Sequence, residues 1–268
     1  MLANYHMHTN YSDDSSFIME DVVKKSISCG LDEICITDHI DCLTGINPNF
    51  PYKSYEKDFK ICKEKYSDKI NLKLGIEFGM QTSTIPLFEE IFAQGDFDFV
   101  LMSCHLINDK WFWSNEFQSG KTQKEYNEQY YEEIFNLVNS YDSYSVLGHL
   151  DVIRRYDLNG EYEFEKVQPI IEAILKRLIS QGKGIELNTS SYRYRLKDLM
   201  PSRNILKLYK ELGGEIITIG TDSHCPEHVN SHLSDAINIL QELGYKYFCT
   251  FDNMKPSYHE LIKEGVAI

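Results

Sequence analysis

Residues 33–39 read Glu33-Ile34-Cys35-Ile36-Thr37-Asp38-His39, a short apolar run ended by a carboxylate and an imidazole. An apolar run of this length suits a buried strand. The arrangement recurs along the chain: Leu2–His6 leads into His6-Met7-His8, Asn71–Ile76 into Glu77, Phe97–Ser103 into Cys104-His105, and Ser145–Gly148 into His149. Gly184–Leu187 carries Glu186, Glu215–Gly220 leads into Thr221-Asp222-Ser223-His224, and a weaker eighth strand is expected at Tyr247–Phe251. Helical periodicity fills the gaps at Met19–Ser28 (after cap signals at Ser15 and Ser16), Ser54–Lys65, Pro86–Ala93, Gln123–Asn139, Glu165–Ser180, Ile205–Leu212 and Leu233–Leu243. Strands alternating with helices imply an α/β fold of parallel strands with right-handed crossovers. An open doubly wound sheet gathers ligands at one switch point, whereas a barrel brings the C-terminal ends of all its strands around one mouth. Chemistry at the ends of seven strands selects the barrel.

The length of 268 residues fits one barrel of ~250 residues, and no linker or repeat divides the chain, so residues 1–268 are expected to form a single domain. With 42% hydrophobic and 25% charged residues, a sizeable core is available and a disordered or fibrous chain is excluded. The 27 lysines and arginines against 41 aspartates and glutamates leave a net charge of −14, which repels nucleic acid and anionic membranes. Neither is an expected partner. No apolar run reaches the ~18 residues of a membrane span, and the first residues lack a basic and apolar leader pattern, so a soluble, cytoplasmic protein is expected. The seven cysteines are odd in number and form no CxxC pair, which argues against a disulfide framework and a thiolate zinc site.

In His6-Met7-His8 and Asp222-Ser223-His224 the ligand-type residues stand at i and i+2, so on a strand they share a face. Six of the nine histidines (6, 8, 39, 105, 149 and 224) lie at expected strand ends. Buried together with carboxylates, they would carry a large desolvation cost unless paired, and a metal site supplies the pairing. Asp38 reads as a carboxylate that orients an imidazole. His228, His232 and His259 read as surface residues.

The ordered set His6-x-His8-Thr9, Thr37-Asp38-His39, Gly75-Ile76-Glu77, Ser103-Cys104-His105, Gly148-His149 and Thr221-Asp222-Ser223-His224 closely resembles the polymerase and histidinol phosphatase (PHP) family. The resemblance implies a distorted (β/α)7, TIM-like barrel with a trinuclear metal centre at its C-terminal mouth. Carried over by motif, one ion would take His6, His8, Glu77 and Asp222. A second would share Glu77 and add His105 and His149, and a third would take Asp14, His39 and His224, with Asp13 as the fallback for Asp14. Three divalent ions are implied, with zinc, manganese and iron all suited to these donors. Length, Gly148-His149-Leu150-Asp151 followed by Arg154-Arg155-Tyr156, Ile185-Glu186-Leu187-Asn188-Thr189 and Pro201-Ser202 are similar to members that hydrolyse L-histidinol phosphate in histidine biosynthesis. That small phosphomonoester is therefore the expected partner, and a metal-bridged hydroxide the expected nucleophile, since there is no GxSxG or CxxxxxR loop. Phosphotyrosine protein or a nucleic-acid 3′ end is the alternative substrate, and the net charge weighs against the second. An inactive binding module would lack ligands, and every motif position is filled.

Phosphate binding falls to Arg154, Arg155, Arg193 and Arg195, which follow the strands ending at His149 and Leu187, with one from each pair expected at the mouth. Arg154 and Arg195 are the expected catalytic cations beside Asp222, Glu77 and His39. Asp222 would accept the water proton, and His39 is a candidate acid for the leaving group. Asp41, Asp151 and Glu186 are candidates for the substrate ammonium group. Trp111-Phe112-Trp113 is read either as a lid or as a packed loop anchor.

Overall fold

The computed structural model describes residues 1–261. Seven parallel strands form the barrel in chain order: Ala3–Asn4, Glu33–Ile36, Asn71–Gly79, Phe99–Ser103, Val146–Leu147, Gly184–Asn188 and Ile217–Gly220. Strands buried on both faces need no polar alternation, which is why they read as apolar runs. The ring is drawn shut between the first and last strands by Tyr5 N–H to Ile219 O (2.9 Å), Asp222 N–H to His6 O (2.8 Å) and His8 N–H to Ser223 O (2.9 Å). Asn4 fastens the same seam, donating through Nδ2 to Thr221 Oγ1 (2.7 Å) and Val229 O (2.8 Å) and accepting from Thr221 N–H (3.1 Å). The sevenfold α/β barrel is the architecture expected from the sequence.

Helices Met19–Ser28, Tyr52–Lys65, Ile85–Phe92, Gln123–Ser140, Phe164–Ser180, Arg203–Glu211 and Leu233–Glu242 lie within two residues of their expected bounds. Each turns an apolar stripe inward. Thr122 and Glu125 form a capping box at the start of the fourth helix, with Glu125 accepting from the Thr122 N–H at 2.7 Å. The Ser15 and Ser16 cap signals are corrected: Ile18 is the N-cap of the first helix, without a side-chain bond, and Ser15 Oγ donates to His224 O at 3.2 Å.

The eighth strand, Tyr247–Asp252, pairs antiparallel with Lys255–Glu260 and stays outside the barrel sheet. This hairpin covers the end of the barrel opposite the mouth: Tyr5 Oη accepts from the Phe251 N–H (2.8 Å), Asp98 O accepts from the Met254 N–H (2.9 Å), and Lys73 pairs with Asp252 (2.6 Å). Among the described residues no helix is long and apolar enough to cross a membrane.

Candidate metal centre

The motif residues converge because Glu77 lies two residues before the C-terminal end of Asn71–Gly79, and the six histidines and Asp222 lie two to four residues beyond the C-terminal end of a barrel strand. His6 and His8 are buried, and a short strand, His39–Asp41, continues the barrel by pairing in parallel with the end of Asn71–Gly79, placing His39 opposite Glu77. Glu77 divides its carboxylate between two groups of imidazoles. Its Oε2 lies 3.0 Å from His6 Nε2 and 3.6 Å from His8 Nε2, while Oε1 lies 3.1 Å from His149 Nε2 and 3.4 Å from His105 Nε2. Asp222 Oδ1 joins the first group at 3.6 Å from His6 Nε2 and 3.3 Å from His8 Nε2. At the outer edge Asp14 Oδ1 stands 2.9 Å from His39 Nε2 and 3.1 Å from His224 Nε2. Asp13 is farther from His39, at 3.7 Å, and largely exposed.

Five of the six imidazoles are held through Nδ1, which leaves Nε2 directed inward. His6 Nδ1 meets Glu186 Oε1 (2.6 Å), His8 meets Ser12 Oγ (3.1 Å), His39 meets Asp41 Oδ2 (2.9 Å), His105 meets Asp41 Oδ1 (2.8 Å) and His224 meets Asp222 O (3.1 Å). This outward tethering is what imidazole ligands of a metal require. His8 Nε2 is buried without a hydrogen-bond partner, and the Nε2 atoms of His105 and His149 face each other at 3.3 Å. Divalent cations fit these donors: nitrogen and carboxylate oxygen, converging at hydrogen-bond separations in a buried place.

The electrostatics match the crowding. Burial alone would lower His6, but Glu186, Glu77 and Asp222 outweigh it and hold the imidazole well above the ordinary histidine range. Burial likewise opposes charge on His39 and His105, yet Asp14 and Asp41 raise the first, and Asp41 with Glu77 raises the second to about 10. His8 is pulled down to about 3 by burial and by the neighbouring His224. Burial would raise the Glu77 and Asp222 carboxyls, but His6 and the other surrounding imidazoles hold both well below their usual range.

The sequence missed several supporting residues. Glu186, proposed for the substrate ammonium, is buried instead between His6 Nδ1 and the His149 N–H, from which it accepts at 2.8 Å. The alternation of Gly184–Asn188 puts Glu186 and Asn188 on one face and Ile185 and Leu187 on the other, a signal that could have turned it inward. Gly220 makes room for it: a Cβ there would lie 2.2 Å from Glu186 Oε1 and 2.4 Å from His6 Cβ. Gly220→Ala is expected to cost about 1–3 kcal/mol by overpacking, read from denaturant unfolding. An unchanged midpoint would contradict this close fit.

Asp41 and Asp151 also leave the ammonium role, the first bound to His39 and His105, the second buried against Arg154 (2.9 Å) and the Ser202 N–H (2.9 Å). Among the described residues Asp38 makes no hydrogen bond to an imidazole. It accepts from the Thr9 and Ser12 N–H groups (2.6 and 3.0 Å) and from both hydroxyls, supporting His8 only through Ser12.

Of the four arginines, Arg155 alone lines the cavity of ≈ 480 Å³ above the cluster, which Trp111, Trp113, Tyr156 and Tyr194 also border. Its guanidinium lies 3.8 Å from the centre of the Tyr194 ring, and Nη2 donates to Asp222 Oδ2 at 3.2 Å. The expectation for Arg154 is corrected: it points away to Asp151, Glu161 and Leu199 O. Arg195 is exposed, with φ of 59°, and does not line the cavity. Arg193 donates to Asp222 O at 2.7 Å and so steadies Asp222, whose φ of 53° lies in the left-handed region. His39 has both ring nitrogens engaged, by Asp14 and Asp41, and has none left for a leaving group. In the aromatic triplet Phe112 is the buried anchor, against Phe117 and Tyr130, while Trp111 and Trp113 border the mouth.

Known proteins resemble this chain in sequence and fold. The chain is 29% identical to the histidinol-phosphatase of Lactococcus lactis over 94% of its own length and 95% of that protein's. It is also 29% identical to a probable histidinol-phosphatase of Clostridium acetobutylicum, over 92% and 95%. The solved histidinol phosphate phosphatase of Lactococcus lactis, complexed with zinc, L-histidinol and phosphate, superposes with a TM-score of 0.87 at 29% identity, covering 96% of this chain and 98% of the other. A structure from Listeria monocytogenes, described as a putative histidinol phosphatase, shares the fold with a TM-score of 0.72 at 18% identity. The PHP domain pattern matches residues 4–190, more than half of the sequence, and the chain belongs to the PHP domain family.

Proposed function

We propose that this chain is a divalent-metal-dependent phosphomonoesterase that hydrolyses L-histidinol phosphate to L-histidinol and phosphate. The observation that carries this reading is the division of Glu77 between two imidazole pairs, beneath a cavity that holds one arginine. It is supported by a 29% identical relative solved with zinc, L-histidinol and phosphate. His6, His8, Glu77 and Asp222 would hold one ion; Glu77, His105 and His149 a second; Asp14, His39 and His224 a third. Zinc, manganese or iron suits this donor set. Bound ions supply Lewis acidity toward the phosphoryl oxygens and hydroxide at neutral pH.

The protein's own side chains divide the remaining work. Arg155, fixed on Tyr194, offers a permanent positive charge to the phosphoryl group, which the net charge of −14 makes necessary. Asp222, kept ionised, presents Oδ2 beside Arg155 as a proton acceptor. Trp111 and Trp113 give the cavity an apolar wall suited to an imidazole ring, and the volume lies within the range of small-ligand sites. Replacing Arg155 by alanine is expected to raise KM about 10–100-fold, roughly 1.4–2.8 kcal/mol, with metal content unchanged by elemental analysis. A KM equal to that of the native enzyme would remove Arg155 from phosphate binding.

The substrate assignment is tested by phosphate release from L-histidinol phosphate beside phosphotyrosine, an aryl phosphate and a 3′-phosphorylated oligonucleotide. A strong preference for L-histidinol phosphate is expected. Equal slow turnover of all four would refute the substrate while leaving the phosphatase reading in place.

A further inference from the structure

We infer that Asp41 is a positioning residue that sets His39 and His105 together, so that the two ion subsites to which they belong load interdependently. This rests on the metal reading proposed above. Asp41 ends the short strand His39–Asp41, two residues beyond His39 and therefore on the same face. Its two oxygens go to different rings, Oδ2 to His39 Nδ1 at 2.9 Å and Oδ1 to His105 Nδ1 at 2.8 Å. The rings belong to different groups: His39 Nε2 faces Asp14, and His105 Nε2 faces Glu77. One carboxylate thereby fixes the orientation of both imidazoles and keeps each Nε2 directed at its own group.

The backbone is adapted to this contact independently of the hydrogen bonds. Gly79 pairs with Asp41 across the sheet, and a Cβ on Gly79 would fall 1.9 Å from Asp41 Oδ1 and 2.8 Å from His105 Nδ1. Only glycine leaves the carboxylate room to reach His105. Filling one subsite immobilises its imidazole and with it Asp41, so the second imidazole is already placed when the next ion arrives. A first ligand that removes the cost of ordering for a second produces positive coupling.

The test compares native protein with Asp41→Asn and Asp41→Ala, using zinc as the probe. The asparagine amide keeps the shape but presents only one acceptor oxygen, so one ring loses its tether; alanine releases both. Zinc affinity from competition titration is expected to fall about 10–100-fold in Asp41→Asn, with a shallower saturation curve than in the native protein. Nitrogen-detected imidazole spectra of the zinc-loaded proteins should show protected Nδ1–H signals for His39 and His105 in the native chain. One should be lost in the asparagine variant and both in the alanine variant. Circular dichroism of the metal-free proteins reports folding separately, and if the alanine variant fails to fold, the asparagine variant carries the test. Native zinc affinity, steepness and Nδ1–H signals in Asp41→Asn would overturn the inference alone. A native protein that binds no zinc would overturn the metal reading and this inference with it.

Discussion

Glu77→Ala is expected to lose ions from both groups that share its carboxylate and to lower kcat/KM at least about a thousand-fold, roughly 4 kcal/mol of transition-state stabilisation. Glu77 Oε2 faces the Nε2 atoms of His6 and His8, and Oε1 those of His105 and His149, so this one carboxylate serves the inward nitrogens of both pairs. Removing the carboxylate also removes the negative charge that would offset an ion placed among the four imidazoles. The barrel itself is closed by backbone bonds and by Asn4, away from Glu77, and should still form. Elemental analysis, circular dichroism and steady-state kinetics on one preparation check the prediction. An active variant with a native metal content would refute the shared role.

Chelation should abolish turnover reversibly, and readdition of zinc should expel protons. His6, His39 and His105 are raised above the ordinary histidine range in the metal-free protein, each against the opposing effect of burial, by Glu186 and Glu77, by Asp14 and Asp41, and by Asp41 and Glu77 respectively. The surroundings of these rings thus favour their protonated form, whereas a ligating imidazole is neutral. Affinity falls as pH falls, and for His105 proton release persists until pH approaches about 10. His8, lowered to about 3, is already neutral and releases nothing. Calorimetry in two buffers of different ionisation enthalpy measures the release, and about one proton or more per chain is expected at pH 7. Identical heats in the two buffers would contradict the charge state assigned to the cluster.

The barrel and its converging residues were legible because both are written locally. A buried parallel strand is a short apolar run, and its C-terminal end is where a barrel places chemistry, so Glu33–Thr37 before His39 and Phe97–Ser103 before His105 read directly as a strand and a candidate ligand. What the side chains do to one another was not legible. Asp41 and His105 are 64 residues apart, and Glu186 and His6 are 180 apart, so their pairing exists only once the ring closes. Arg154 and Arg155 are neighbours in sequence, but Val152–Tyr156 is a 3₁₀ turn that rotates each residue by about a third of a circle. One guanidinium therefore meets Asp222 and the other Asp151 and Glu161. The strand Tyr247–Asp252 was visible from its composition, whereas its place in a hairpin under the barrel depends on Tyr5, Lys73 and Asp98, residues on three other segments.

The most direct test of the account is the turnover of L-histidinol phosphate by purified protein, with bound metal counted in the same sample. Rapid phosphate release that tracks metal content, reaching its maximum at about three ions per chain, is the predicted result. Full metal occupancy with no release from L-histidinol phosphate, or undiminished release from metal-free protein, would contradict it.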